Sequence, residues 1–255
     1  MSQRASLAAL GSLLVASLAA HSADAQINDY RASRLRERPE FQSPQSTAFE
    51  LRFGPYAPKI DDEFDGATPY ADVFGTKRRF YIGAEIDWQA LRIPLFGTLG
   101  PGVAFGYTRF RGRNFLESNP DERADQESTL RILPMYAVAV LRVDVLARET
   151  PIPFVPYAKA GIGYALWSTN DGVNVARTED GVIGKGSSLG PQYALGIMLL
   201  LDPLDSNAAR EMDLNVGVNN SYLFLEWFNS KLDGLGSTDM NVGTNTWVTG
   251  LAFDI

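Results

Sequence analysis

Two carboxylates at alternate positions, Glu85 and Asp87, are the residues of this sequence best suited to acid–base chemistry. In an extended strand this spacing places both on one face, where they could serve as a general acid and a general base. The same spacing is typical of carboxylates that are paired with Arg or Lys, and such structural pairs are far commoner. The pair therefore predicts a charged strand face rather than a catalytic site.

Histidine and cysteine, which most hydrolytic and metal sites use, are almost missing from the chain. It contains no cysteine, and its single histidine is His21. We expect His21 to lie in a segment that is removed, which leaves the mature chain without a Ser–His–acid triad or a His or Cys metal site. We therefore predict that the protein is not an enzyme and has neither a cofactor nor a metal site.

Two other motifs do not meet the requirements of a binding site. Gly100, Gly102 and Gly106 alternate within a strand pattern and open no helix, as a phosphate-binding loop would require. We expect these glycines to make room for large side chains inside a narrow barrel. The acidic run Asp61–Glu63 lacks the spacing and the glycine of a calcium-binding loop, so we expect an exposed acidic loop there.

The beginning of the chain has the features of a secretory signal peptide. Arg4 precedes an apolar run over residues 7–20, and small residues follow at Ala23 and Ala25. The run is shorter than the roughly 18 residues that a membrane helix needs. We predict a signal peptide over 1–25, a polar leader over 26–46 and a β-barrel over 47–255.

After Thr47 the apolar and the polar or small residues alternate with a period of two, which predicts strands rather than helices. We expect Pro134 to mark a bulge that changes the phase of one strand, and one helical turn around 207–211. Eight strands are predicted, over 48–56, 80–92, 99–110, 129–145, 154–167, 189–201, 222–228 and 241–255.

Four long connections fall at the same end of the predicted barrel, at 57–78, 111–127, 168–186 and 229–239. They carry nine basic and fifteen acidic residues, so their net charge of −6 accounts for most of the −7 of the chain. Long connections at one end and short ones at the other are typical of outer-membrane barrels, whose long loops are extracellular. We therefore expect an acidic extracellular mouth, and the acidic balance argues against a nucleic-acid partner.

Alternation alone leaves open which face of the strands meets which solvent. A secreted lipocalin-like barrel would turn its apolar face inward, whereas an outer-membrane barrel turns it toward lipid. The aromatic residues near the ends of the apolar stripes, such as Trp88, Trp167 and Trp227, favour the membrane barrel. The lipocalin-like barrel remains the alternative.

The end of the chain, residues 247–255, resembles the C-terminal strand by which Gram-negative barrels are recognised for assembly. Trp247, Phe253 and Ile255 would form that assembly signal, although Ile255 stands where Phe or Trp is usual. With the stretch 217–226, this ending also resembles a myxobacterial-type outer-membrane β-barrel domain family. The resemblance implies a small OmpA/OmpX/OmpW-like barrel and supplies no catalytic residues.

The side chains between the apolar positions are expected to point into the lumen. Unpaired charges there would cost several kcal/mol each, so we expect Arg52 and Lys159 to pair with the four carboxylates. Arg142 and Asp144 would join them if Pro134 changes the phase. The predicted lumen charge network consists of Glu50, Arg52, Glu85, Asp87, Lys159 and Glu226.

These features predict a monomeric, all-β, eight-stranded antiparallel transmembrane barrel in the outer membrane of a Gram-negative bacterium. Its partners would be outer-membrane lipid, lipopolysaccharide and the barrel assembly machinery. We expect a largely closed lumen and a structural or interaction role through the loops. The alternative is a narrow pore or an OmpW-like conduit for small solutes.

Overall fold

The computed structural model describes residues 46–116, 119–171, 174–176, 183–236 and 239–255. The expected signal peptide over 1–25 and all of the expected leader except Ser46 lie outside the described residues. Among the helices that the structure describes, none is long and apolar enough to cross a membrane.

Eight antiparallel strands form a closed barrel, and each strand pairs with its neighbours in the sequence. The ring closes where the first strand pairs with the last, with Arg52 opposite Gly250. Two short strands, Leu91–Ile93 and Asn174–Val175, extend the pairing at the edges. The wall consists of β1 (Thr47–Tyr56), β2 (Arg79–Trp88), β3 (Gly97–Leu116), β4 (Asn119–Arg142), β5 (Phe154–Asp171), β6 (Lys185–Leu200), β7 (Asn220–Ser230) and β8 (Thr244–Asp254).

The apolar face of the strands points outward and the other face is buried in the lumen. On β2, Phe80 and Ile86 are 67% and 49% exposed. Glu85 and Asp87, on either side of Ile86 in the sequence, are each 2% exposed. This inversion of the usual soluble pattern is that of an outer-membrane barrel and not of a lipocalin. The protein is an all-β, eight-stranded antiparallel barrel of the outer-membrane type.

Two of the predicted long loops are partly strand. β3 continues beyond Phe110 to Leu116, and β4 already begins at Asn119, so these two strands form a long hairpin. β5 continues to Asp171. The prediction ended these strands where the apolar stripe ends. Backbone pairing continues past that point because ladder hydrogen bonds need no apolar side chains.

The bulge expected at Pro134 does not occur. Pro134 pairs with Ala165 in an unbroken register, and on the other side Met135 pairs with Phe105 and Ile132 with Thr108. Proline removes one donor from the ladder without inserting a residue, so the alternation along β4 keeps its phase.

Within the described residues, three short helices lie in the connections: α1 (Pro69–Phe74), α2 (Val145–Glu149) and α3 (Ser206–Val216), with a 3-10 turn at Ile60–Glu63. The single turn expected at 207–211 is part of the 11-residue α3. The Asp205 carboxylate accepts a hydrogen bond from Ala208 N at 3.0 Å, and Gly217 ends the helix in the left-handed conformation. These two caps stabilise a helix longer than its weak apolar pattern predicts.

Candidate functional site

The six residues of the predicted lumen charge network lie together inside the barrel, at the height where β1, β2, β5 and β7 face one another. Each is at most 3% exposed. Strand pairing aligns Glu50 with Glu85, and the alternation on β1 places Arg52 on the same face as Glu50. These residues are Glu50, Arg52, Glu85, Asp87, Lys159 and Glu226.

Arg52 connects three of the carboxylates. Its NH1 lies 2.7 Å from Glu50 Oε2 and 2.6 Å from Glu85 Oε2, and its NH2 donates to Glu226 Oε1. The guanidinium also lies 5.6 Å from the centroid of the Phe224 ring. The planar guanidinium carries five donors in a fixed geometry, so it can satisfy several carboxylate oxygens at once.

Lys159 reaches the same three carboxylates from the other side of the lumen. Its Nζ lies 2.8 Å from Glu50 Oε2, 2.5 Å from Glu85 Oε1 and 3.6 Å from Glu226 Oε2. Glu50 and Glu85 therefore both contact Arg52 and Lys159, which offsets their mutual repulsion across the β1–β2 pair.

Asp87 is held by Arg142 rather than by Arg52 or Lys159. Arg142 NH2 lies 2.6 Å from Asp87 Oδ2 and 3.1 Å from Glu50 Oε1, and its NH1 lies 3.1 Å from Asp254 Oδ1. Tyr222 donates a hydrogen bond to Asp254 Oδ2 at 3.0 Å. Glu50 joins the ion pairs of Arg142 to those of Arg52 and Lys159, so one network crosses the lumen.

Arg142 belongs to the network and Asp144 does not, which corrects the expectation that both would enter together. Because β4 keeps its phase and ends at Arg142, Asp144 lies beyond the strand, before α2. There it pairs with Arg92 at 2.8 Å and with Arg148 at 3.6 Å. Asp254 was missed, although alternation along β8 from Trp247 already places it on the inner face.

The network holds five carboxylates and three cations. Oxygens of Glu50, Glu85 and Asp87 lie within 4.8 Å of one another, close enough for one metal ion to contact all three. However, Lys159 already contacts Glu50 and Glu85, and Arg142 contacts Asp87. The arrangement therefore fits internal ion pairing better than coordination of a further cation.

Above the charges, aromatic side chains fill the lumen toward the end with the long connections, a feature that the sequence-based expectations did not include. The ring of Tyr56 stacks 5.9 Å from that of Tyr81 and lies 6.3 Å from that of Phe110. On the other side of the lumen, Tyr136 and Phe228 meet edge to face at 5.3 Å. The signal was the same alternation, which turns these residues inward at the upper ends of their strands.

The β1–β2 connection covers this aromatic layer. Tyr70 of α1 meets Phe110 edge to face at 5.7 Å, and Asp61 accepts hydrogen bonds from Tyr70 N at 2.7 Å and Ala71 N at 3.0 Å. Burial raises the pKa of the Tyr70 hydroxyl above its usual range. A Cβ at Gly112 would collide with Val73 O, so glycine permits this close approach of α1 to β3.

Glycines inside the barrel make room for neighbouring large side chains. A Cβ at Gly106 or Gly83 would meet the Tyr81 side chain, and one at Gly102 would collide with Asp87 Oδ1. Gly100 has another role, because a Cβ there would collide with the backbone oxygen of Trp88. The predicted assembly-signal residues Trp247, Phe253 and Ile255 lie outside the lumen; Trp247 and Ile255 are 57% and 47% exposed.

No family model matches the sequence, and comparison with curated proteins finds no relative. The resemblance to the myxobacterial-type family thus receives no support from these comparisons. Solved structures of similar fold include three small outer-membrane proteins. Ail of Yersinia pestis is 14% identical, with 83% of this chain and 97% of that chain covered and a TM-score of 0.39.

For the N-terminal β-barrel domain of Pseudomonas aeruginosa OprF, the identity is 12%, the coverage 83% and 98%, and the TM-score 0.37. For the outer membrane enzyme PagL, the identity is 14%, the coverage 81% and 99%, and the TM-score 0.39. The fold assignment rests on the strand pairing and burial of the chain itself. A shared fold does not decide whether a protein is an enzyme.

Proposed function

We propose that this protein is a small outer-membrane barrel whose lumen is closed and whose role is structural or depends on interactions of its extracellular loops. The observation that carries the proposal is the continuous filling of the lumen. The ion pairs of Glu50, Arg52, Lys159 and Arg142 cross the lower half, and the aromatic layer above them is covered by α1. Eight strands enclose an interior that side chains of this size can fill.

The outer surface supports a place in the outer membrane. Large, exposed apolar side chains lie on seven of the eight wall strands, β2 to β8, with Val103 63%, Leu195 56% and Ile162 59% exposed. Such a belt would be an aggregation hazard in water, whereas lipid solvates it. The outward positions of Trp247 and Phe253 on β8, and the exposure of Ile255 directly after it, agree with an assembly signal that the barrel assembly machinery reads from the edge of an unclosed sheet.

The chemistry of the lumen supports a non-enzymatic role. The carboxylates at its centre contact Arg or Lys and are buried, whereas a general base must lie within hydrogen-bond reach of a substrate. Residues 47–255 contain no histidine, so the commonest neutral-pH base is not available to them. The functional surface would then be the upper end, where the β3–β4 hairpin extends beyond the apolar belt.

Planar-bilayer recording of the refolded protein tests the closed lumen. We expect heat-modifiable migration on SDS gels, which reports a folded barrel, together with no steady conductance in bilayers. A steady, large conductance from heat-modifiable protein would contradict the proposal and favour the alternative of a narrow pore or conduit for small solutes.

A further inference from the structure

The outer face of the β3–β4 hairpin changes from apolar to cationic at one height on both strands. On β3, the outward residue Tyr107 is followed by Arg109 and Arg111 at the next outward positions. On β4, Leu133 faces outward and is 44% exposed, and Arg131 takes the next outward position toward the upper end. The boundary of the apolar belt is therefore marked by arginines.

Strand register continues this boundary across two more strands. Arg109 pairs with Arg131, Arg131 with Ser168 of β5, and Ser168 with Lys185 of β6. Arg111 lies one outward step above, opposite Thr129. We call the four cations the basic patch: Arg109, Arg111, Arg131 and Lys185.

The part of the protein that the structure describes offers this patch no counter-charge. Arg109 and Arg131 face each other directly, an arrangement of like charges that destabilises a strand pair. No ion pair joins either of them, or Arg111, to a described acidic side chain. The Nε atoms of Arg109 and Arg131 are buried and have no hydrogen-bond partner. The polar contact of Arg109 is a 3.5 Å approach of NH2 to Thr129 Oγ1.

We propose that the basic patch binds phosphate-bearing headgroups of the lipids in the outer leaflet. This inference rests on the proposed place of the barrel in the outer membrane. A lipid beside the barrel would lay its acyl chains on the apolar residues below, which places its headgroup at the height of Arg109, Arg131 and Lys185. Guanidinium groups bind phosphate through paired hydrogen bonds, and cations at a membrane surface attract anionic headgroups.

On this hairpin the nearest acidic residue in the register stands above the basic patch and not within it. Glu127 faces Arg113 two positions above the Arg111–Thr129 pair, further from the apolar belt. The expected acidic mouth and a basic ring segment at the membrane boundary can therefore coexist on one barrel.

A single-cysteine reporter beside the patch tests the proposal. Because the chain contains no cysteine, Asn170→Cys provides a unique labelling site, on the outward face of β5 opposite Thr129. The protein is folded into phosphatidylcholine bilayers, and a fluorophore on this cysteine is quenched by nitroxide-labelled phosphatidic acid or nitroxide-labelled phosphatidylcholine. We expect the phosphatidic acid to quench at a lower mole fraction, with the preference reduced by salt.

The double variant R109Q/R131Q should lower the apparent association constant of phosphatidic acid relative to phosphatidylcholine by about 30-fold. This value corresponds to about 1 kcal/mol per basic residue and tenfold per 1.4 kcal/mol. Two controls test whether the effect belongs to the patch. R148Q/R210Q removes the same charge at the lower end and should leave the preference at Asn170→Cys unchanged. A reporter at Asn229→Cys on β7 lies away from the patch and should show no preference.

Equal quenching of the Asn170→Cys reporter by both lipids, or an unchanged preference in R109Q/R131Q, would overturn the inference. Heat modifiability and conductance are measured on the same samples. A closed, heat-modifiable barrel without lipid preference rejects this inference and leaves the proposed function standing, whereas failure to form a heat-modifiable barrel rejects the proposed function.

Discussion

Removal of the Arg52 guanidinium should destabilise the barrel strongly, because three buried carboxylates depend on it. In Arg52→Met the stem of the side chain is kept and the charge is lost. Glu50, Glu85 and Glu226 then share the ammonium of Lys159, whose distances to them are 2.8, 2.5 and 3.6 Å, and Glu50 also keeps its contact with Arg142. Breaking a buried ion pair by removing one partner costs about 3–5 kcal/mol.

We expect that loss in the free energy of unfolding, measured by urea titration in lipid vesicles with tryptophan fluorescence. The double variant R52M/E226Q should recover at least about 1 kcal/mol of it, because one of the uncompensated charges is removed with its partner. The exposed pair of Arg148 with Asp144 is the control: Arg148→Met should cost less than about 1 kcal/mol. If Arg52→Met cost no more than Arg148→Met, or if Glu226→Gln gave no recovery, the lumen charges would not be coupled as described.

Three further predictions follow from the same structure. Asp87→Asn should change the free energy of unfolding by less than about 1 kcal/mol, because acids outnumber cations in the network and Asp87 Oδ1 lacks a hydrogen-bond partner. By contrast, Arg142→Met should lower the free energy of unfolding by about 3–5 kcal/mol. Asp61→Ala should remove two hydrogen bonds to α1 and expose the β1–β2 connection to limited proteolysis while the heat-modifiable band persists. Since burial raises the pKa of the Tyr70 hydroxyl, the contribution of Tyr70 to loop packing should be complete below about pH 10 and be lost as the pH rises further. If the protection of the β1–β2 connection from protease already fell at about pH 8, this expectation would be contradicted.

The pairing partners of the lumen charges show where sequence reasoning ended. Alternation placed Glu50, Arg52, Glu85 and Asp87 on the inner face, but it could not say that Arg142 and not Arg52 would hold Asp87. Partner choice depends on the stagger between strands, and β4 is separated from β2 by β3 in the wall. A wrong assumption about Pro134 also left the position of Arg142 conditional on a phase change that the strand did not need.

The aromatic upper half of the lumen shows a different limit. Each of Tyr56, Phe110 and Tyr136 occupies an inward position of its strand, so the information was present in the pattern. Their meeting in one layer required the tilt and register of the closed barrel, which bring residues from distant parts of the chain to one height.

The sequence by itself determined the fold class and, outside β4, which residues of a strand share a face, because side-chain alternation is a local property of an extended backbone. Only the tertiary structure decided which residues share a height, because height is set by pairing between strands. The row of Arg109, Arg131 and Lys185 is the clearest case. Nothing in their sequence spacing relates them, and the ladder hydrogen bonds of β3, β4, β5 and β6 align them at the edge of the apolar belt.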